Sequence, residues 1–273
     1  MPLRDVSFLK YLPRFFSHGY IVPICGGLGG QILGYNLFDY LKQKNINVYA
    51  DILNLPNSNT YRLAKKGEGL NQHIWNLGYY GIDPNQDPRI ICKNKRKRFG
   101  FTTLHEGQKQ RSRLYVEANK NINQNLFPIK KEHQDIIKKT FRDQKILVVH
   151  VRQSDYLNVA SLVIDQNYST TLIQRLLSLN PERVIFVSDG KIKEKKLKKE
   201  IGFNIETFHS KDYFLIHALL RRANLLIASN SQFSLSAAYL GSSQLSFFPK
   251  NYFGKDYQCL NESYKSAFSY FVM

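Results

Sequence analysis

The second half of the chain repeats one pattern, and that pattern limits the fold more than any other feature. Apolar runs at residues 146–149, 184–187 and 225–228, and the mostly apolar stretch 245–248 broken by Ser246, are four residues each, too short for buried helices and rich in strand-favouring side chains. Segments of helical character separate them. Residues 168–179 bring Leu172, Leu176 and Leu179 to one side, with Pro181 ending the helix. Residues 191–200 predict a helix that is cationic on its outer side, and a short strand follows over 203–207. Residues 211–222 predict a buried helix, apolar nearly all round, capped by Ser210; residues 232–240 predict another, capped by Ser231. Strands alternating with helices imply a parallel sheet covered on both faces.

Polar residues cluster where these strands end. His150-Val151-Arg152-Gln153-Ser154-Asp155-Tyr156 follows the first, Ser188-Asp189-Gly190 the second and Ser229-Asn230-Ser231 the third. The carboxyl ends of parallel strands share an edge, and open α/β sheets bind ligands there. Solvated strand ends account for any one cluster alone; three on one edge point to a ligand site.

The first half carries a related unit. Residues 20–25 predict a strand, Gly26-Gly27-Leu28-Gly29-Gly30-Gln31 a turn, and Leu33, Leu37, Tyr40 and Leu41 the apolar stripe of a helix. A glycine turn opening a helix presents bare N–H groups to an anion, although glycines also serve tight turns alone. The spacing matches neither the dinucleotide fingerprint nor a phosphate-binding loop with a terminal Gly-Lys-Ser/Thr. Further strands are expected at 46–50, 89–92 and 98–103, a helix at 130–141, and an aromatic core patch at 74–82 around Trp75, Tyr79 and Tyr80. Residues 53–69 read as loop or short helix, and 117–124 fit no element clearly.

With 273 residues, 43% hydrophobic and 13% aromatic, the chain can bury one large core or two smaller ones. No apolar run approaches the roughly 20 residues that cross a bilayer. Residues 1–17 lack the apolar core and cleavage site of a secretory signal; they read as a basic amphipathic segment that packs on its own domain or lies on a membrane surface. Cys25, Cys92 and Cys259 are odd in number and far apart, which suits a reducing compartment and argues against a disulfide frame or a zinc site. The net charge of +18, from 39 basic and 21 acidic residues, favours polyanionic partners. Its two dense runs, 93–98 and 191–199, read best as solvated faces. They lack interleaved aromatics, which leaves nucleic-acid binding as the weaker reading.

The motifs together resemble the alpha-1,2-fucosyltransferase family. Gly26-Gly27-Leu28-Gly29-Gly30-Gln31 is similar to that family's G-G-L-G-N-Q, and residues 150–156 to its H-x-R-R-x-D-Y. Residues 229–240 are similar to its N-S-T-F-S-W-W-A-A-x-L, and Phe186-Val187-Ser188-Asp189-Gly190 echoes its F-S-D-D. The resemblance implies an α/β fold of the GT-B type, two Rossmann-type domains facing a cleft. An acceptor-side domain is expected over 18–143, a donor domain over 144–250, and a tail over 251–273 that packs back on the first domain. It also implies GDP-fucose as donor, an inverting reaction without a metal or other cofactor, and a sugar hydroxyl as acceptor, α-1,2 on galactose in surface polysaccharide or lipopolysaccharide synthesis. The enzyme would be cytoplasmic, peripheral on the inner membrane, with a lipid-linked acceptor.

Within that resemblance Arg152 is the expected catalytic residue, gripping phosphate oxygens with its planar fork. Ser231 with the N–H groups of Gln232 and Phe233 would form a second anion site. Gly27, Leu28, Gly29 and Gly30 would bring backbone against the leaving diphosphate. His150 would bond the donor or orient Arg152. Asp155 would fix its turn or pair with Arg152, and Asp189 would contact ribose or guanine or serve its turn. Departures from the pattern are Gln153 for the second arginine, Gly30 for asparagine, Gln232 for threonine, and Leu235 and Ser236 for the paired tryptophans. They leave open another nucleotide sugar, a divergent acceptor or weak activity. Asp39, Asp51, Glu68 and Glu106 are unranked as general base.

Overall fold

The structure, a computed structural model, describes residues 19–52, 75–91, 101–104, 113–152, 166–243, 245–249 and 270–271. The chain forms two compact units, 1–118 and 119–273.

In the first unit β1 (Gly19–Pro23) leads into α1 (Leu28–Gln43), followed by β2 (Val48–Asp51), a 3-10 helix (Asn76–Tyr80), β3 (Ile90–Ile91) and β4 (Phe101–Thr103). The strands are parallel in the order β3-β2-β1-β4. Ile32, Leu33, Leu37, Phe38 and Leu41 of α1 are fully buried. That stripe keeps the helix on the sheet in spite of three glycines within it. In the aromatic segment the structure departs from expectation. Asn76 and Leu77 are the buried residues, whereas Tyr79 and Tyr80 are half-buried and meet edge to face.

Helix α2 (Arg113–Lys120) carries the boundary between the units. The second unit continues with α3 (Lys131–Phe141), β5 (Ile146–Val151), α4 (Gln166–Leu176), β6 (Arg183–Ser188), α5 (Glu194–Ile201), β7 (Ile205–Phe208), α6 (Tyr213–Arg222), β8 (Leu225–Ile227), α7 (Gln232–Leu240), β9 (Leu245–Phe248) and β10 (Tyr270–Phe271). All six strands are parallel, in the order β10-β9-β8-β5-β6-β7. From β5 the chain builds outward through β6 and β7, then returns to the other side of β5 with β8. This is the doubly wound order, with its switch point between β5 and β8. Leu147, Val149, Phe186, Leu225 and Ile227 pack in a core shared with Leu172, Ile173 and Leu176 of α4.

Two expectations about domain limits change. The structure divides the chain at Ala118 rather than at residue 143, because α3 and its approach belong with the second unit: His133 Nε2 lies 2.9 Å from Asp212 Oδ2, and Arg221 Nη1 donates to the Phe127 carbonyl at 2.7 Å. The tail, expected on the first domain, supplies Tyr270–Phe271 to the second unit's sheet beside β9. The cap of α6 also differs: Asp212, not Ser210, accepts the N–H groups of Phe214 and Leu215, while Ser210 Oγ accepts from Asp212 N–H. That helix is less apolar than its pattern suggested, since His217 and Arg221 are both buried in it.

Gly241 ends α7 at an ordinary φ of −87°, so its role is room rather than handedness. A methyl at that position would lie 2.8 Å from the carbonyl oxygens of both Ala237 and Arg221. Both are backbone atoms and neither can swing away. Gly241→Ala is expected to destabilise the second unit by about 1–3 kcal/mol, as overpacking does, measured by urea unfolding.

Candidate functional site

The site forms at the switch point because strand register puts it there. Val149 pairs with Ile227, so His150 leaves β5 beside the start of the Ala228–Ser229 turn. Val151 pairs with Ser188, so Arg152 leaves β5 beside Asp189. The three polar strand ends therefore meet through side chains. Arg152 Nε lies 3.2 Å from Asp189 Oδ2, with both side chains partly exposed. Ser188 Oγ accepts the Gly190 N–H at 3.0 Å and closes the turn that presents Asp189. The carboxylate thus forms an ion pair that holds the guanidinium at the sheet edge.

His150 is buried, 6% exposed, and its Nδ1 sits between two hydroxyls: Ser234 Oγ at 2.7 Å and Ser229 Oγ at 2.9 Å. Burial removes water from the ring and pushes its pKa down to about 4, with the Arg152 cation adding to the effect and the Asp189 carboxylate opposing it. The imidazole is thus neutral at physiological pH. Phe233 packs between His150 and His217, at ring-centroid distances of 5.6 and 5.1 Å. His217 in turn meets Ser236 Oγ at 2.9 Å, and that hydroxyl donates to the Phe233 carbonyl at 3.0 Å. Burial, with Arg221 and His150 nearby, drives the His217 pKa well below the ordinary range.

Ser231 is the N-cap of α7. In its extended conformation (φ −117°, ψ 135°) its Oγ accepts the Phe233 N–H at 3.2 Å. One of the two amides expected to face an anion is therefore engaged by the cap itself. The Gln232 N–H makes no hydrogen bond among the described residues. Asp155 and Gln153 lie outside the described residues.

The glycine turn belongs to the first unit and occupies the corresponding switch point, between β1 and β4. Gly26 takes the left-handed conformation, φ 78°. Gly27 is the N-cap of α1, without a side-chain cap, and Leu28, Gly29 and Gly30 already form the helix's buried first turn, which carries no acidic residue. Gln31, fully buried, fixes the turn: its amide donates to the Gly26 carbonyl at 2.9 Å and accepts the Asn76 N–H at 2.8 Å. Of the four carboxylates considered as base, Glu68 and Glu106 lie outside the described residues. Asp39 sits within α1, bonded to Gln43, and Asp51 ends β2 in register with Pro23, at the sheet's carboxyl edge.

His217 belongs to none of the sequence motifs, and Ser234 and Ser236, inside the motif over 229–240, acquire their histidine partners only through the fold. His217 lies four residues before Arg221, and two polar residues one turn apart in an apolar helix were the available signal. The six lysines at 191, 193, 195, 196, 198 and 199 are all exposed, as a solvated face requires. Among the described residues no group of three or more metal-ligating side chains occurs, and no helix is long and apolar enough to cross a membrane.

No protein-family model and no curated protein matches the sequence. Solved structures do resemble the fold. POFUT1 in its apo form superposes with a TM-score of 0.50 at 12% identity, covering 85% of this chain and 97% of that one. POFUT1 in complex with GDP-fucose gives 0.47 at 12% identity and the same coverage. The fucosyltransferase NodZ from Bradyrhizobium gives 0.43 at 12% identity, over 82% of this chain and 93% of that one. At these identities the likeness is one of fold: parallel α/β units of a kind found in a fucosyltransferase.

The buried histidines make stability depend on pH. The unfolded chain takes up a proton near pH 6.5 that folded His150 refuses until about pH 4, so stability is lost as pH falls through that window. His150 contributes about 3 kcal/mol over the full interval, and His217 acts in the same direction. Urea midpoints are expected to drop between pH 7 and pH 5; a flat profile would contradict the burial of a neutral imidazole.

Proposed function

We propose that the protein is an inverting glycosyltransferase that moves L-fucose from GDP-fucose to a sugar hydroxyl. The observation that carries the proposal is the meeting of His150, Arg152 with Asp189, and Ser229 to Ser231 at the switch point of a doubly wound parallel sheet. Such switch points take nucleotides. The choice of donor rests on the motif resemblance, and POFUT1, whose fold this chain shares, has been crystallised with GDP-fucose.

In this reading the second unit binds the donor and the first the acceptor, the division of labour of a GT-B transferase. The acceptor hydroxyl oxygen attacks the anomeric carbon and releases its proton to solvent as the bond from that carbon to the diphosphate oxygen breaks, and GDP departs with the added negative charge. Arg152 opposes that charge, held in place by Asp189, and the open Gln232 N–H adds a neutral donor at the start of α7. Cations and N–H groups do the work a metal would do, so turnover is expected to survive EDTA. The finer assignment we propose is α-1,2 transfer to galactose in a surface glycan, on an acceptor carried by an anionic membrane surface.

The test is consumption of GDP-fucose with a panel of galactose-ended acceptors, with GDP-mannose and UDP-sugars as competing donors. Arg152→Ala is expected to lower kcat by at least about 100-fold, the loss typical of a transition-state charge partner. Near wild-type turnover in that variant would sink the site assignment. Turnover with a UDP-sugar alone would replace the donor.

A further inference from the structure

The two ring nitrogens of His150 differ: Nδ1 is held inside the protein by hydroxyls, and Nε2 is not. Nδ1 faces Ser234 Oγ at 2.7 Å and Ser229 Oγ at 2.9 Å; the two hydroxyls are 3.0 Å apart, and Ser234 Oγ is 3.4 Å from the Ser229 carbonyl. Both serines are fully buried. No water reaches this triangle, so each hydroxyl hydrogen must find an acceptor within it.

Counting hydrogens separates the two tautomers. With the ring proton on Nδ1, three hydrogens compete for the triangle while Nδ1 accepts none, so one hydroxyl must use the 3.4 Å contact to the carbonyl. That contact is beyond the usual range for O–H donation. With the ring proton on Nε2, Ser229 donates to Ser234 and Ser234 donates to Nδ1. Every hydrogen then lies in a contact of 3.0 Å or shorter. Nε2 makes no hydrogen bond among the described residues.

We propose that Ser229 and Ser234 are positioning residues that lock His150 as a neutral imidazole with its proton on Nε2, and that this N–H is a hydrogen-bond donor to an anionic oxygen of the ligand at the switch point. For the ligand, a nucleoside diphosphate, the proposal rests on the donor-site reading above; for the tautomer it does not. A neutral donor suits a site that already holds Arg152. It can bond a phosphate or sugar oxygen without adding a buried cation beside Arg152, which burial would disfavour. His150 is thus an oriented donor, and the proton it presents does not leave.

The experiment is nitrogen-15 NMR on full-length protein labelled at histidine, at pH 7. The expected result is a protonated-type signal for Nε2 and an unprotonated-type signal for Nδ1 of His150. The reverse pattern overturns the proposal without any variant having to fold. GDP is then titrated: a shift of the His150 Nε2–H supports the ligand contact, and tight binding that leaves it unmoved overturns that part while the tautomer stands. Absence of GDP binding overturns the donor-site reading, and the ligand contact with it. In the double variant Ser229→Ala/Ser234→Ala the tautomers are expected to mix and the GDP Kd to rise at least about tenfold, as when a hydrogen bond to a charged group is lost. Either single serine can still donate to Nδ1, so each single variant should keep the tautomer. A double variant that folds, keeps the pure Nε2–H form and binds GDP as wild type does overturns the assigned role.

Discussion

Everything at the candidate site depends on the parallel pairing of β5 with β8. The two are far apart in the chain, and each finishes at the same edge because their registers align Val149 with Ile227. One residue of slip would turn His150 away from the serines, since strand side chains alternate between faces. The register is held by the core beneath it. Leu147 and Val149 pack in one cluster with Leu225 and Ile227, and the apolar area they bury would be lost in any other pairing.

A second consequence concerns which polar groups such a sheet can bury. An imidazole at 6% exposure beside a guanidinium is a costly arrangement if it is charged. Here it is neutral, and serine hydroxyls satisfy its inward nitrogen. The arrangement repeats one layer away, where Ser236 partners His217 and both histidines flank Phe233. Two serines of α7, at positions 234 and 236, therefore serve two histidines from different elements. This explains why a helix with so apolar a remainder keeps hydroxyls on its buried side. Small hydroxylic residues allow α7 to approach β5 and α6 and still supply hydrogen bonds. Gly241 continues the same logic at the helix end, where backbone meets backbone.

The sequence made the strand ends legible because parallel sheets leave a simple trace: four apolar residues, then a polar cluster. It does not reveal the strand order, because α/β alternation alone does not say on which side of β5 the chain returns. The partners of His150 were hidden for a different reason. Ser229 and Ser234 both lie in the motif stretch over 229–240, but nothing local pairs them with His150, and the fold closes an 84-residue gap to bring Ser234 to its ring. The capping of α6 by Asp212 shows the limit of local signals, since Ser210 and Asp212 are both good caps and only geometry distinguishes them. The periodicity over 131–141 marks a helix but not where it attaches, because its tie to the second unit through His133 and Asp212 spans 79 residues.

The glycine turn and the histidine cluster occupy equivalent places in their own sheets, yet they are built on opposite principles. In the first unit the strand end presents backbone: Gly27 offers no side chain to cap α1, and both ends of the Gln31 amide fix the turn. In the second unit the strand ends present side chains, and Ser231 caps its own helix, closing off one amide. A backbone site tolerates glycine departures from a motif so long as the turn survives, which is why Gly30 in place of a side-chain donor leaves the geometry intact. A side-chain site has no such latitude. Arg152 and Asp189 have to stand together at the strand ends, beside a histidine that burial keeps unprotonated.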